Sequence, residues 1–148
     1  MIRVVTAFTL AVLPILPAVA AELSCPDMAT IVQVGSCPTE EEMRWGFSGY
    51  CSDNARMYDK DGNDICTSVE KYRDAKNVSL WEAGEFQGYL SCTKPVESLK
   101  TAKLEELRSG KLNAITRVVC SYQGGLQMVY RTRAQCTVQG DKAVCADQ

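Results

Sequence analysis

Eight cysteines and no histidine constrain this chain of 148 residues more than any other feature. An even thiol count in a chain that carries export features reads as a disulfide framework. A zinc site is disfavoured twice, because no two cysteines stand as C-x-x-C and because histidine is absent. Cys25, Cys37, Cys51, Cys66, Cys92, Cys120, Cys136 and Cys145 are therefore all expected in disulfides. For most of them the pairing stays open, with on the order of 100 connectivities available.

One pair follows from turn geometry. Cys136-Thr-Val-Gln139 and Lys142-Ala-Val-Cys145 flank Gly140-Asp141. A two-residue turn there sets Gln139 against Lys142 and, counting outward, Cys136 against Cys145. Directly opposed residues of an antiparallel pair come within bridging distance. A Cys136–Cys145 bond is the expectation.

The N-terminus has the layout of a cleavable signal peptide over residues 1–21. Arg3 is its only charge, Val4 to Leu16 is largely apolar, and Ala18-Val19-Ala20 gives the small-x-small pattern before cleavage. The apolar stretch falls short of the ~20 residues that cross a bilayer, so no transmembrane segment is expected. Glu22, three residues before Cys25, argues against a lipid anchor. Residues 22–148 then form one disulfide-rich domain in a secreted or periplasmic, oxidising location.

Charge is uneven along the chain. Residues 22–70 carry 3 basic and 10 acidic side chains, and residues 71–148 carry 12 and 8. The first segment is thus net −7 and the second +4. The overall balance lacks the strongly basic surface that nucleic acid requires.

Local patterns point to an α+β fold, with an antiparallel sheet built mainly from C-terminal strands and hairpins and about three short helices. Thr39 to Glu42 reads as a capping box opening a helix that Gly46 and Gly49 should cut short. A second helix is expected from Thr67, with Glu70 as its capping partner, to about Ala75. Val96, Leu99, Ala102, Leu104 and Leu107 recur at helical spacing, predicting a third helix between Pro95 and Gly110. Ile31 to Val34, Phe86 to Cys92, Ile115 to Tyr122 and Leu126 to Tyr130 read as strands. Gly124-Gly125 as a two-residue turn would put Cys120 opposite Val129 and Val119 opposite Tyr130.

Much chemistry is excluded. Without histidine there is no Ser-His-Asp or Cys-His catalysis, and oxidised cysteines offer no thiolate. No phosphate-cradling glycine motif is present. A carboxylate-dependent, glycan-directed hydrolase is the enzymatic alternative, with Asp74, Glu82 and Glu85 near Trp81, Phe86 and Tyr89. Aromatic side chains in a small domain ordinarily belong to its core, so an enzyme is the less favoured reading.

Asp59, Asp61, Asn63, Ile65 and Glu70 occupy the first, third, fifth, seventh and twelfth positions of a stretch that resembles an EF-hand calcium loop. The resemblance implies a calcium site, the one candidate cofactor. Asp64 stands where that loop needs glycine, and Cys66 where it carries an apolar residue. A polar turn followed by a Thr67–Glu70 capping box explains the same residues. Asn77-Val78-Ser79 matches a glycosylation sequon. The function expected is a disulfide-stabilised binding module for an extracellular or periplasmic protein or glycan. The alternatives are the carboxylate hydrolase and a calcium-stabilised interaction protein.

Overall fold

A computed structural model describes residues 20–53 and 64–146. The expected signal peptide lies outside them except for Ala20 and Ala21. The fold is α+β, with two antiparallel sheets, three α-helices among the described residues and four disulfides. The elements run β1 (Ala21–Ser24), β2 (Val32–Gln33), α1 (Glu40–Cys51), α2 (Val69–Lys76), β3 (Val78–Ala83) and β4 (Phe86–Ser91). They continue with α3 (Val96–Lys100), β5 (Leu104–Leu112), β6 (Ile115–Tyr122), β7 (Leu126–Thr132), β8 (Gln135–Gln139) and β9 (Lys142–Ala146).

The large sheet has the order β2-β3-β4-β7-β6-β5, and the small one β1-β9-β8. Successive strand residues alternate faces, and here the alternation is clear. Trp81, Phe86, Leu90, Val118, Cys120, Tyr122, Leu126 and Met128 point inward from the large sheet into the main core. Leu23, Ala143 and Cys145 of the small sheet complete that core, with Met28, Ile31 and Leu99. Cys25–Cys120 bolts the N-terminal segment to the centre of β6. Beside it, the Tyr122 hydroxyl donates to the Pro26 carbonyl at 2.6 Å. The Ser109 hydroxyl donates to the Cys136 carbonyl, joining β5 to β8.

In the C-terminal hairpin, Gln139 stands opposite Lys142 and Cys136 opposite Cys145, to which it is bonded. Gly140, with φ of 64°, supplies the left-handed turn residue. All eight cysteines are bonded; the remaining pairs are Cys37–Cys92 and Cys51–Cys66.

Three local expectations are corrected. The third helix stops at Lys100, and residues 104–112 form β5, which pairs with β6 along its length. Leucine, glutamate and lysine favour helix locally, but the partner strand overrides that preference. The Gly124-Gly125 hairpin closes through a three-residue turn, Gln123–Gly125, so Cys120 faces Met128 and Val119 faces Val129. This register keeps Cys120, Tyr122 and Met128 on the core face, whereas a one-residue slip would mix the faces. Finally, α1 continues through both glycines to Cys51. Gly46 lies against Tyr72, whose hydroxyl would sit 2.6 Å from an added Cβ. The glycine permits close helix packing, and that contact outweighs its poor helix propensity.

α1 and α2 make a satellite cluster of Met43, Cys51 and Tyr72, with Phe47, Tyr50, Ile65 and Cys66 around it. Thr39 and Glu42 form the reciprocal capping box of α1. Their hydrogen bonds hold the Glu42 carboxyl below the usual carboxylate range. For α2 the N-cap is Ser68, one residue after Thr67.

Candidate binding surface

Among the described residues no helix or second sheet packs over the outer face of the large sheet. Alternation places Leu80 and Glu82 of β3, Gln87 and Tyr89 of β4, Arg108 of β5, Arg117 and Val119 of β6, and Gln127, Val129 and Arg131 of β7 on it. Two adjoining depressions lie on this face. One, about 330 Å³, is lined by Leu80, Gln87, Gly88, Tyr89, Arg117, Gln127, Val129 and Arg131. The other, about 340 Å³, is lined by Arg108, Ser109, Gly110, Lys111, Leu112, Arg117, Val119 and Gln127. Every lining residue belongs to β3–β7, and Arg117 with Gln127 forms the ridge they share.

β4 and β7 close tightly in the first depression. A Cβ at Gly88 would stand 2.4 Å from the Gln127 carbonyl oxygen, so glycine is required there. Val119 and Val129 face each other at the sheet centre and are buried although they point outward. Long polar neighbours such as arginine cover apolar residues with their methylene stems in this way.

Arg117 stands directly opposite Arg131 across β6 and β7. Arg108, opposite Val119 on β5, lies diagonal to Arg117. Among the described residues none of the three arginines has an ion pair or a side-chain hydrogen bond. The Arg117 Nε is buried without an acceptor. Like charges directly opposed in a sheet destabilise it, and unmatched buried donors are rare in folded proteins. The fold itself gains nothing from this arrangement. An arriving anion would satisfy it, since guanidinium forks bind carboxylates through two parallel hydrogen bonds.

The surroundings are partly apolar. Val32, Tyr89, Leu112 and Ile115 are large apolar or aromatic side chains exposed on the same face, Tyr89 at 68%. A second shallow groove, on α1, is lined by Glu40, Glu41, Arg44, Trp45 and Ser48. There Trp45 donates to Glu41, and Glu40 is paired with Arg73 at 2.6 Å.

The sequence-derived site residues that the structure describes do not converge on one place. Asp59, Asp61 and Asn63 lie outside the described residues. Ile65 packs, half-buried, on the α1–α2 cluster. Glu70 sits in the first turn of α2, its carboxyl held below the usual range by its own backbone N–H and by the Ser68 hydroxyl. Among the described residues no group of three metal-ligating side chains occurs. Trp81 and Phe86 point into the core, whereas Glu82 points outward and accepts from Gln87 at 2.9 Å. Trp81 and Phe86 thus lie on the opposite side of the sheet from Glu82, whereas Tyr89 shares its face, and Asp74 and Glu85 lie off the sheet on α2 and in the β3–β4 turn. Ser79 of the sequon is buried and bonded to Gln33.

The arginine face has no counterpart among the sequence-derived sites. Its sequence signal is the alternation of Arg117 and Arg131 with core residues in two paired strands. That signal becomes readable only in the correct register. Comparison with known proteins found no matching family model, no matching curated protein and no matching solved structure.

Proposed function

We propose that the chain is an exported, disulfide-stabilised binding module and that the outer face of its large sheet receives a protein partner. Four disulfides point to an oxidising compartment. Among the described residues no helix is long and apolar enough to cross a membrane. Residues 1–21 would direct export and be removed.

The observation that carries the reading is the Arg117–Arg131 couple, without an ion pair or a covering element among the described residues, on a face fringed by exposed apolar side chains. Arginine and tyrosine are enriched in the cores of protein interfaces, and lysine is depleted. By strand alternation the cations aimed out of this face are Arg108, Arg117 and Arg131, and Lys111 lines the second depression beside them.

Affinity capture from the native extract tests this. The oxidised protein should retain a partner that a Tyr89→Ser, Leu112→Ser double variant loses and a Trp45→Ala variant keeps. Equal capture by all three proteins would place the contact elsewhere and refute the reading.

A further inference from the structure

We propose that the groove across β5, β6 and β7 is a subsite for an acidic polypeptide segment of the partner, its carboxylates taken by Arg108, Arg117 and Arg131. This rests on the outer face being the binding surface, and it specifies the chemistry recognised there. The three guanidinium groups come from adjacent strands. Arg117 and Arg131 stand side by side on neighbouring strands, about 4.8 Å apart, and Arg108 lies one diagonal step away, opposite Val119, so the three form a short oblique row. The two depressions follow the same line and meet at Arg117. A chain laid along this row meets one cation after another. It needs several carboxylates spaced along an extended backbone to match them.

Charge and shape select among anions. Arg108, Arg117 and Arg131 are the cations that strand alternation aims out of this face, well short of the extended basic surface that nucleic acid requires. The groove offers a short, local, carboxylate-sized positive row. Among the described residues Tyr89 is its one aromatic lining residue, leaving little surface for stacking successive sugar rings. Val119, Val129 and Leu112 instead form an apolar floor and rim, suited to side chains interleaved with the acids. Gln87 and Gln127 supply amide donors and acceptors for a peptide backbone.

The test uses two probes of equal charge, an N-terminally fluorescein-labelled, C-terminally amidated hexaglutamate peptide and a fluorescein-labelled hexagalacturonate oligosaccharide. Binding to the oxidised protein is followed by anisotropy at low and at physiological salt. Hexaglutamate should bind better than the oligosaccharide and weaken with salt. It should lose about tenfold or more in affinity with Arg131→Gln or Arg117→Gln. Trp45→Ala should leave its affinity unchanged. Circular dichroism of each variant checks that the fold persists. Stronger binding of the oligosaccharide, or peptide binding indifferent to both arginine substitutions, would overturn the proposal. So would the absence of binding to either probe. If partner capture still depends on Tyr89 and Leu112 while these arms fail, the outer-face reading stands and only the acidic-segment assignment falls.

Discussion

Arg117 and Arg131 stand directly opposite each other on β6 and β7, two like charges at the closest spacing a sheet allows, with no described carboxylate between them. Opposed like charges cost a sheet roughly 0.2–1 kcal/mol relative to a neutral pair. Arg131 is the more exposed partner, so its removal disturbs packing least. The expected result is that Arg131→Gln leaves stability to urea unchanged or raises it within that range. A loss above 1 kcal/mol would mean that the residue serves the fold rather than a ligand.

Tyr122 and Pro26 predict an alkaline limb of stability. Burial, with the negative charge of Asp27 added, pushes the Tyr122 phenol up from 10.0 to about 12. A folded value above the unfolded one means that the neutral phenol is favoured in the fold. Its contribution is fully present below pH 10 and is lost as pH rises through about 12. Tyr122→Phe removes both the titration and the bond to the Pro26 carbonyl. At neutral pH it should cost about 1 kcal/mol, and its stability should fall less steeply than that of the parent between pH 10 and 12. Identical slopes in urea titrations across that range would contradict the assignment.

Gly46 should resist the substitution that helix propensity recommends. Alanine in an exposed helix is worth about 1 kcal/mol over glycine, but here its Cβ meets the Tyr72 hydroxyl at 2.6 Å. Tyr72 is itself held by Phe47, ring centroids 5.6 Å apart. Gly46→Ala is expected to bring no gain in the parent and to recover most of that increment beside Tyr72→Phe. Urea unfolding of the four proteins measures the coupling, and full additivity would show that the contact is not restrictive.

Calcium is expected to leave the melting temperature unchanged. Glu70 would have to close the loop, yet its carboxyl is engaged by its own backbone N–H and by Ser68. Binding at a hundredfold excess over the dissociation constant would stabilise by about 2.7 kcal/mol. Thermal melts in millimolar calcium and in chelator decide it, and a rise of several degrees with calcium would support a site at Asp59, Asp61, Asn63, Ile65 and Glu70.

What the sequence makes legible here is what short-range rules control. The capping box at Thr39 and the register of the C-terminal hairpin each depend on a few adjacent residues. The errors arise where distant partners decide. Residues 104–112 read as helix because their strand partner is not visible locally. Gly46 reads as a breaker because Tyr72 lies far along the chain. The hairpin at Gly124 and Gly125 shows the functional price of one residue. A two-residue turn sets Arg117 against Thr132, and the arginine couple vanishes. The three-residue turn sets it against Arg131 and brings the site into view.

The most direct test of the outer face is a chemical-shift map of the isotope-labelled, oxidised protein titrated with hexaglutamate. The account predicts that perturbations cluster at Gln87, Tyr89, Arg108, Arg117, Gln127 and Arg131, with Trp45 and the rest of α1 unmoved. Perturbations centred on α1, or spread evenly over the surface, would contradict it.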